Sequence, residues 1–368
     1  MRILLDYRPA LRDRTGVGEY VHELARALTR TPDDVVLFSS SWKNRVDSRA
    51  LAPAAVVDRR VPVRLLNLAW HRLEWPPVEA LGAGPIDVAH SPHPLLLPAR
   101  DAVQVVTIHD LHFLRYPDRT AREIRRDYPG LARDHARRAD LVVVSSAFAA
   151  RDVMDRFGID QSRVVICPAG APRWKRVTRR SDRGYLLFLG SLEPRKNIGG
   201  LLDAYERLLA LRSDVPELWL AGRAGSSAAH WIARAARPPL EGRVKLLGYV
   251  DPDHRRALYE GASLLVVPSF DEGFGLTALE AMTLGLPVIA SERGALPELL
   301  DGAGLLTDPD DPDTIAAAIA RVLDDSSLAA EMENRGLARA ALFDWDKSVR
   351  GLRDAYAAAI RRRQERAA

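Results

Sequence analysis

The chain has 368 residues, of which 47% are hydrophobic and 28% charged, with a net charge of +4 and a single cysteine, Cys167. That length allows two domains with full cores, and the composition excludes a disordered or fibrous chain. One cysteine excludes an internal disulfide framework and fits a reducing cytoplasm, and no apolar run approaches the length that spans a bilayer.

The N-terminus, MRILLDY, runs straight into a strand at Ile3–Leu5 and lacks the apolar segment of a signal peptide. The loop Asp6–Thr15 and Gly16-Val17-Gly18 follow. Then comes a helix whose apolar face is Val17, Tyr20, Val21, Leu24, Ala25 and Leu28. Strand, glycine loop and helix open a Rossmann-like unit. The dinucleotide fingerprint is incomplete, because Val21 stands where a third glycine belongs. The glycine pair reads equally as a ligand loop or a tight turn.

Further strands are predicted at Val35–Ser39, Ile86–Ala89, Gln104–Ile108 and Leu141–Val144, with helical or irregular segments between. This alternation predicts a parallel sheet, and such sheets bind ligands outside the carboxyl ends of their strands. Those ends carry His90-Ser91-Pro92-His93, His109-Asp110-Leu111-His112 and Ser145-Ser146. Two HxxH pairs admit a zinc reading, but no HExxH helix or cysteine supports it. His109-Asp110 reads better as part of a polar pocket, against a structural histidine as the alternative. Arg119–Arg138 holds seven arginines and three acids on a helical pattern interrupted by Pro129-Gly130. It is either a solvated basic helix or a surface for reversible association with a membrane. Leu65, Leu66, Leu68, Trp70 and Trp75 cluster near Arg64, His71 and Arg72. Core packing is the default for them, and acceptor or lipid contact the alternative.

Cys167–Gly184 is rich in Pro, Gly and Arg and reads as an interdomain linker. A second Rossmann-like half follows. Its first strand, Tyr185–Leu189, ends at Gly190, and Asn197 is positioned to cap the next helix. Arg195 and Lys196 sit just ahead of that helix, where two cations and a helix dipole suit a diphosphate. More strands are predicted at Leu218–Ala221, Val244–Leu247, Leu264–Val267, Pro287–Ser291 and Leu305–Thr307. The acidic run Asp308–Asp313 resembles a DxD metal motif but reads better as a loop and helix cap. A last helix, Asp346–Arg363, carries Val349, Leu352, Tyr356 and Ile360 on one face.

The stretch Ser269–Gly285, SFDEGFGLTALEAMTLG, joins a buried strand to a helix. Gly273 and Gly275 let backbone N–H groups approach a ligand, and the helix start adds donors and a positive dipole end. Glu272 and Glu280 bracket the site, and a carboxylate accepts well from the vicinal diols of a sugar or ribose.

The spacing Glu272-Gly-Phe-Gly-Leu-Thr-Ala-Leu-Glu280 matches the E-x7-E signature of the retaining glycosyltransferases of family GT4, and nearly the whole chain resembles them. Gly16 and Gly18, Thr107–Asp110, the GSLEPRKN run at Gly190–Asn197 and Gly248-Tyr249-Val250 add to the match. The resemblance implies an α/β chain of two Rossmann-like domains facing a cleft, the GT-B fold. An acceptor-binding domain would span residues 1–170 and a nucleotide-sugar domain 171–345. A helix at 346–368 would cross back to the first. It implies that Arg195 and Lys196 bind the donor diphosphate and Glu280 the ribose. Glu272 would touch the transferred sugar, with the Gly273–Thr277 backbone (Phe274, Gly275 and Leu276 included) holding hydroxyls and phosphate. Val250 and Gly190 would line the nucleotide site. Gly16 and Gly18 would approach the diphosphate, and His109 the donor sugar. His109, Glu272, Arg195 and Lys196 are the implied catalytic set. The family is similarly metal-independent, so no metal and no cofactor is expected.

The partners implied are a nucleotide diphosphate sugar, with GDP-mannose leading, and a glycan, lipid-linked or small-molecule acceptor. No nucleic-acid partner is expected. The place implied is the cytoplasm, with peripheral contact at the inner membrane face. One departure is Gly16-Val17-Gly18-Glu19, where many members carry Gly-Gly and a basic residue. A GT-B phosphorylase, a nucleotide-sugar epimerase and a non-catalytic sugar-nucleotide-binding protein are the competing readings. An oxidoreductase lacks its fingerprint in both halves.

Overall fold

The computed structural model describes the chain except residues 12, 13, 50, 118–121, 176–183, 226 and 368, and except the side chains of 122–127 and 367. The chain divides into two compact units. One holds Met1–Pro117, Ala121–Gly170 and Asp344–Ala368, and the other holds Ala171–Phe343.

The first unit is built on seven parallel strands. They are β1 (Arg2–Asp6), β2 (Asp34–Ser40), β3 (Ala55–Arg59), β4 (Val88–Ser91), β5 (Val103–Ile108), β6 (Leu141–Val144) and β7 (Val164–Ile166). Their order is β3-β2-β1-β4-β5-β6-β7. β6 is Val and Leu throughout and wholly buried, as expected of a parallel strand covered on both faces. The second sheet has β8 (Tyr185–Leu189), β9 (Leu218–Ala221), β10 (Val244–Gly248), β11 (Ala262–Val267), β12 (Val288–Ser291) and β13 (Leu305–Thr307). Its order is β10-β9-β8-β11-β12-β13, again all parallel. In each sheet the strand order reverses beside the first strand, at β1/β4 and at β8/β11. A crevice opens at such a reversal because the flanking connections leave to opposite faces.

Four expectations need correction. Two edge strands were not anticipated: β3, half exposed, and β7, only three residues long. β3 offers only Ala55-Val56-Val57 before Asp58 and Arg59, and β7 is a three-residue apolar run closed by Cys167-Pro168, shorter than the runs that mark the other strands. The segment Cys167–Gly184 is not linker throughout. Cys167 and Ala169 are buried, and the Tyr20 hydroxyl donates to the Cys167 carbonyl at 2.9 Å. Residues 176–183 of that segment lie outside the described residues. The helix Arg122–Arg138 runs through Pro129 without a break. Ala132, His135 and Ala136 are buried on it, and that packing offsets the lost backbone bond. Finally, the Leu65–Trp75 cluster is not all core. Leu66 and Trp70 are buried, whereas Leu65, Leu68 and Trp75 are 61%, 60% and 65% exposed.

The last helix, Trp345–Ala367, groups with the first unit. Trp345, Val349, Leu352, Tyr356 and Ala359 form its buried stripe at helical spacing. Ile360 is only half-buried, so Ala359 takes the last inner place. The Tyr356 hydroxyl meets Nδ1 of His90 at 2.6 Å, and Arg353 and Arg363 pair with Asp33 and Asp140.

Candidate functional site

The second unit brings the main candidates together at its β8/β11 crevice. After β8 the chain turns through a single 3-10 turn, Pro194–Lys196. Asn197 follows with φ 56°, and its side chain caps the helix Ile198–Leu211 by accepting from Gly200 N–H at 3.2 Å. After β11 comes the loop Pro268–Gly275. The two loops are tied by backbone. Phe270 N–H donates to the Arg195 carbonyl at 2.9 Å, and Arg195 Nη1 donates to the Asp271 carbonyl at 3.0 Å.

Glu272 sits where they meet. Its Oε1 lies 2.5 Å from Lys196 Nζ and 2.7 Å from Ser269 Oγ, and its Oε2 lies 3.2 Å from Arg195 Nη1. Burial alone pushes the Glu272 carboxyl up, but Lys196 and Arg195 outweigh it and hold it at about 2. Burial pulls the Lys196 ammonium down, and Glu272 opposes that. Glu193 also acts on Lys196, so the two cations are internally countered, and an arriving anion would take over donors that Glu272 now holds.

The helix Leu276–Thr283 starts beside this cluster, with Gly275 at its N-cap at φ 103°. The positive φ favours glycine, and a Cβ there would also press the Leu296 and Leu299 methyls at 2.8 Å. No side chain caps the helix. Leu276 and Thr277 therefore begin a turn with N–H groups that have no capping side chain. Phe274 is held edge-on to Phe343 at 5.8 Å. Gly190 ends β8 near Lys196, its Cβ position 3.7 Å from Lys196 Cε.

Glu280 is buried on the inner side of the same helix. Tyr259 donates to its Oε2 at 2.7 Å, and Arg255 Nη2 lies 3.1 Å from its Oε1. Val250 packs against the apolar cluster that includes Tyr259, just before the helix Pro252–Gly261. Sequence reasoning missed Arg255, Tyr259, Ser269 and Gly294. Ser269 lies inside the singled-out stretch and could have been found as a hydroxyl three residues before Glu272. Gly294 backs directly onto Glu272: Ala295 N–H donates to the Glu272 carbonyl at 2.8 Å.

The remaining candidates lie in the first unit. Gly16 opens the helix Gly16–Leu28. Gly18 lies against Pro9, where a Cβ would come 2.8 Å from the carbonyl oxygen. His109 follows β5. It stands edge-on to Tyr20 at 4.9 Å and hydrogen-bonds the Pro92 carbonyl, and its Nε2 has no partner among the described residues. Burial first, then His93, hold His109 down to about 4, so it is neutral near pH 7. His90 is spoken for by Thr107 at 2.7 Å and Tyr356. Asp308 and Asp310 pair with Arg293, and Asp311 caps the helix Pro312–Asp324. Among the described residues no three His, Cys, Asp or Glu side chains converge as a metal group. Arg137 and Arg138 bond to the Phe157 carbonyl and Glu74, and the side chains of Arg119, Arg122, Arg125 and Arg126 lie outside the described residues. Among the described residues no helix is long and apolar enough to cross a membrane.

Residues 14–173 match the family described as Glycosyltransferase Family 4, and residues 172–339 match Glycosyl transferases group 1. The O-antigen chain mannosyltransferase B of Escherichia coli is 31% identical over 97% of this chain and 99% of its own. A D-inositol 3-phosphate glycosyltransferase of Acidothermus cellulolyticus is 29% identical over 97% of this chain and 88% of its own. Among solved structures, the sucrose-phosphate synthase of Thermosynechococcus elongatus superposes with a TM-score of 0.79 at 23% identity, covering 97% of this chain and 98% of that one. HepE of Anabaena, in complex with UDP and glucose, gives 0.72 at 18% identity, covering 97% of this chain and all of that one. The chain belongs to the family 4, group 1 glycosyltransferases and has their GT-B fold.

Proposed function

We propose that this glycosyltransferase moves mannose from GDP-mannose, with retention, onto a glycan or lipid-linked acceptor, working at the cytoplasmic face of a membrane. The observation that carries the reading is the cluster of Arg195, Lys196 and Glu272 at the β8/β11 crevice. Two cations held side by side beside a helix N-terminus suit the two phosphates of a nucleoside diphosphate. The name of the Escherichia coli relative supports mannose.

In the proposed reaction the bond from sugar C1 to the diphosphate oxygen breaks. An acceptor oxygen bonds to C1 from the same face, and its proton passes to the departing phosphate oxygen. Negative charge grows on the leaving diphosphate, and Arg195, Lys196 and the amides at Leu276 and Thr277 stabilise it most where it is greatest. Glu272 holds the cations in register until the diphosphate arrives and then offers its carboxylate to sugar hydroxyls. Glu280 is assigned to the ribose and neutral His109 to the sugar.

A thermal-shift panel of nucleotide diphosphate sugars tests the donor, since a ligand of the native state raises its apparent stability. GDP-mannose is expected to give the largest shift, and proton NMR of the product an α-linked mannose. A larger shift with another donor replaces GDP-mannose. Turnover that needs inorganic phosphate instead of an acceptor overturns transfer in favour of phosphorolysis.

A further inference from the structure

The acidic run Asp308–Asp313 follows β13 and bonds to two segments that border the Glu272 cluster. One is the cation turn. Asn197 comes directly after Lys196, and its Nδ2 donates to the Pro309 carbonyl at 2.6 Å in a buried bond. The other is the loop after β12. Arg293 Nη2 reaches two acids of the run, Asp308 at 3.1 Å and Asp310 at 3.0 Å. Arg293 precedes Gly294, which lies against the Glu272 backbone, and Ala295 N–H donates to the Glu272 carbonyl at 2.8 Å. Three residues, Asp308 to Asp310, thus join the neighbour of Lys196 to the residues packed on the backbone of Glu272.

The run is built to be stiff. Pro309 and Pro312 fix two of its φ angles. Asp308 Oδ1 accepts from Asp310 N–H at 3.0 Å, a local turn that holds the carboxylate where Arg293 meets it. The loop after β12 is tied at its base as well. Glu292 N–H donates to the Thr307 carbonyl at 2.9 Å, and Arg293 N–H donates to Ser291 Oγ at 3.0 Å.

Exposed ion pairs contribute little to stability, and the side chains of Arg293, Asp308 and Asp310 are 37%, 42% and 52% exposed. The effect of this pairing is therefore geometric more than energetic. In the free protein Lys196 and Arg195 hold the Glu272 carboxylate. A diphosphate that takes over those donors leaves Glu272 with Ser269 and its backbone contacts to Gly294 and Ala295. Those backbone contacts belong to the loop that Arg293 ties to the acidic run.

We propose that Arg293, Asp308 and Asp310 are positioning residues for transfer. With the run anchored at Asn197, they hold the Gly294 loop against Glu272 while a diphosphate occupies the cations. This inference rests on the transferase reading above. It gives none of the three a contact with donor or acceptor.

Arg293→Met, and Asp308→Asn combined with Asp310→Asn, remove opposite charges from the same contact. A brace predicts the same result from both. kcat should fall by about tenfold, less than the roughly 10²-fold of a full 1 Å displacement, with GDP affinity within about twofold of wild type. All three substitutions together should lower kcat no further than either set alone. Arg293→Lys keeps the charge but not the fork, and should recover part of the loss. Asp313→Asn alters an acid of the same run that pairs with Arg207 instead, and should match wild type. Melting temperatures should stay within about 2 °C. If the charges act only through their field on the anionic donor, the two charge variants move GDP affinity in opposite directions, and the brace is overturned. Turnover that needs a divalent ion, with that ion held more weakly after Asp308→Asn, overturns it in favour of a metal site. Hydrogen exchange reads the brace without any acceptor. With and without GDP, amides of residues 269–275 and 292–296 should exchange at least about threefold faster in both charge variants than in wild type, most clearly with GDP. Unchanged exchange in both states overturns the brace whether or not the protein turns over. Faster exchange in a chain that transfers to no acceptor keeps the brace and sinks the transferase reading alone.

Discussion

Nζ of Lys196 lies 2.5 Å from Oε1 of Glu272, although the two residues are 76 positions apart in the chain. The pair exists because β8 and β11 are neighbours in the sheet and their carboxyl ends release both loops into one crevice. Glu272 is therefore the internal counter-ion of a cation pair as well as a candidate sugar contact. It competes with any incoming diphosphate for the same donors.

Glu272→Gln should separate those two roles. The neutral amide keeps the shape but removes the competing charge, so affinity for the free nucleoside diphosphate should equal or exceed wild type. Turnover should fall by about 10²-fold, as when a group that orients the reacting sugar is lost. Stability should drop by about 3 kcal/mol, because two partly buried cations lose their partner. Arg195→Ala and Lys196→Ala should instead weaken nucleoside diphosphate binding and turnover together. Calorimetry beside steady-state kinetics reads both. Loss of nucleoside diphosphate binding in Glu272→Gln, with binding kept in the cation variants, would place the diphosphate elsewhere.

Glu280 is a second case in which the neighbours change the expectation. With Tyr259 on one oxygen and Arg255 on the other, it is a structural anchor whatever ligand it also meets. Glu280→Gln should weaken nucleoside diphosphate binding while leaving kcat nearly unchanged, because a ribose contact alters little as the sugar bond breaks. It should also cost about 3 kcal/mol of stability, since buried Arg255 loses its counter-charge. Tyr259→Phe keeps that charge pair and should cost only about 1 kcal/mol. If Glu280→Gln lowers stability without touching nucleotide affinity, the ribose assignment fails.

Much of this site was legible because its chemistry is local. Glu272, Gly273, Gly275 and Glu280 fall in one run, and a helix, Leu276–Thr283, follows the glycine loop as that run predicts. β6, β8, β9 and β13 also have the ends read from their apolar runs. What stayed hidden is set by the third dimension. Arg255 and Tyr259 reach Glu280 from a different helix, and no spacing rule links them. The pairing of Arg195 and Lys196 with Glu272 depends on strand order. Leu65 and Trp70 are both apolar residues on one helix, and only the position of the sheet decides which is buried.

Gly294 supports the site from behind, at φ 68°. A Cβ there would lie 2.5 Å from the Glu272 carbonyl oxygen and 2.6 Å from its nitrogen. Both are backbone atoms of a loop fixed by hydrogen bonds, so the loop must move. Gly294→Ala should therefore shift Glu272 and lower turnover by about 10²-fold, the usual effect of displacing a reacting group by about 1 Å. Strain at positive φ adds about 1 kcal/mol of destabilisation. Kinetics with a melting curve checks this, and unchanged turnover would show that the Glu272 position is not critical.

Stability against pH should be governed by the first unit's histidines. His90 is fully buried between Thr107 and Tyr356, and burial takes it from 6.5 to about 3. In the unfolded chain it protonates near 6.5, so below that pH the unfolded state binds a proton that the folded state refuses. The His90 contribution is complete above about pH 6.5 and is lost as pH falls toward 3. At pH 5 the loss is about 2 kcal/mol from this residue. His22, His71, His93, His109 and His135 are shifted in the same direction and steepen the decline. Glu272 behaves differently. Its depressed value of about 2 makes its contribution fade only below its ordinary 4.5. The interval from pH 6.5 to 5 therefore isolates the histidines. His90→Gln removes one titrating group while keeping donor and acceptor atoms for Tyr356 and Thr107. Urea unfolding at pH 7.5 and pH 5 should show the variant less stable at pH 7.5 but losing about 2 kcal/mol less than wild type between the two. Equal losses in both proteins would mean that His90 titrates normally in the folded chain, and that burial does not hold it neutral.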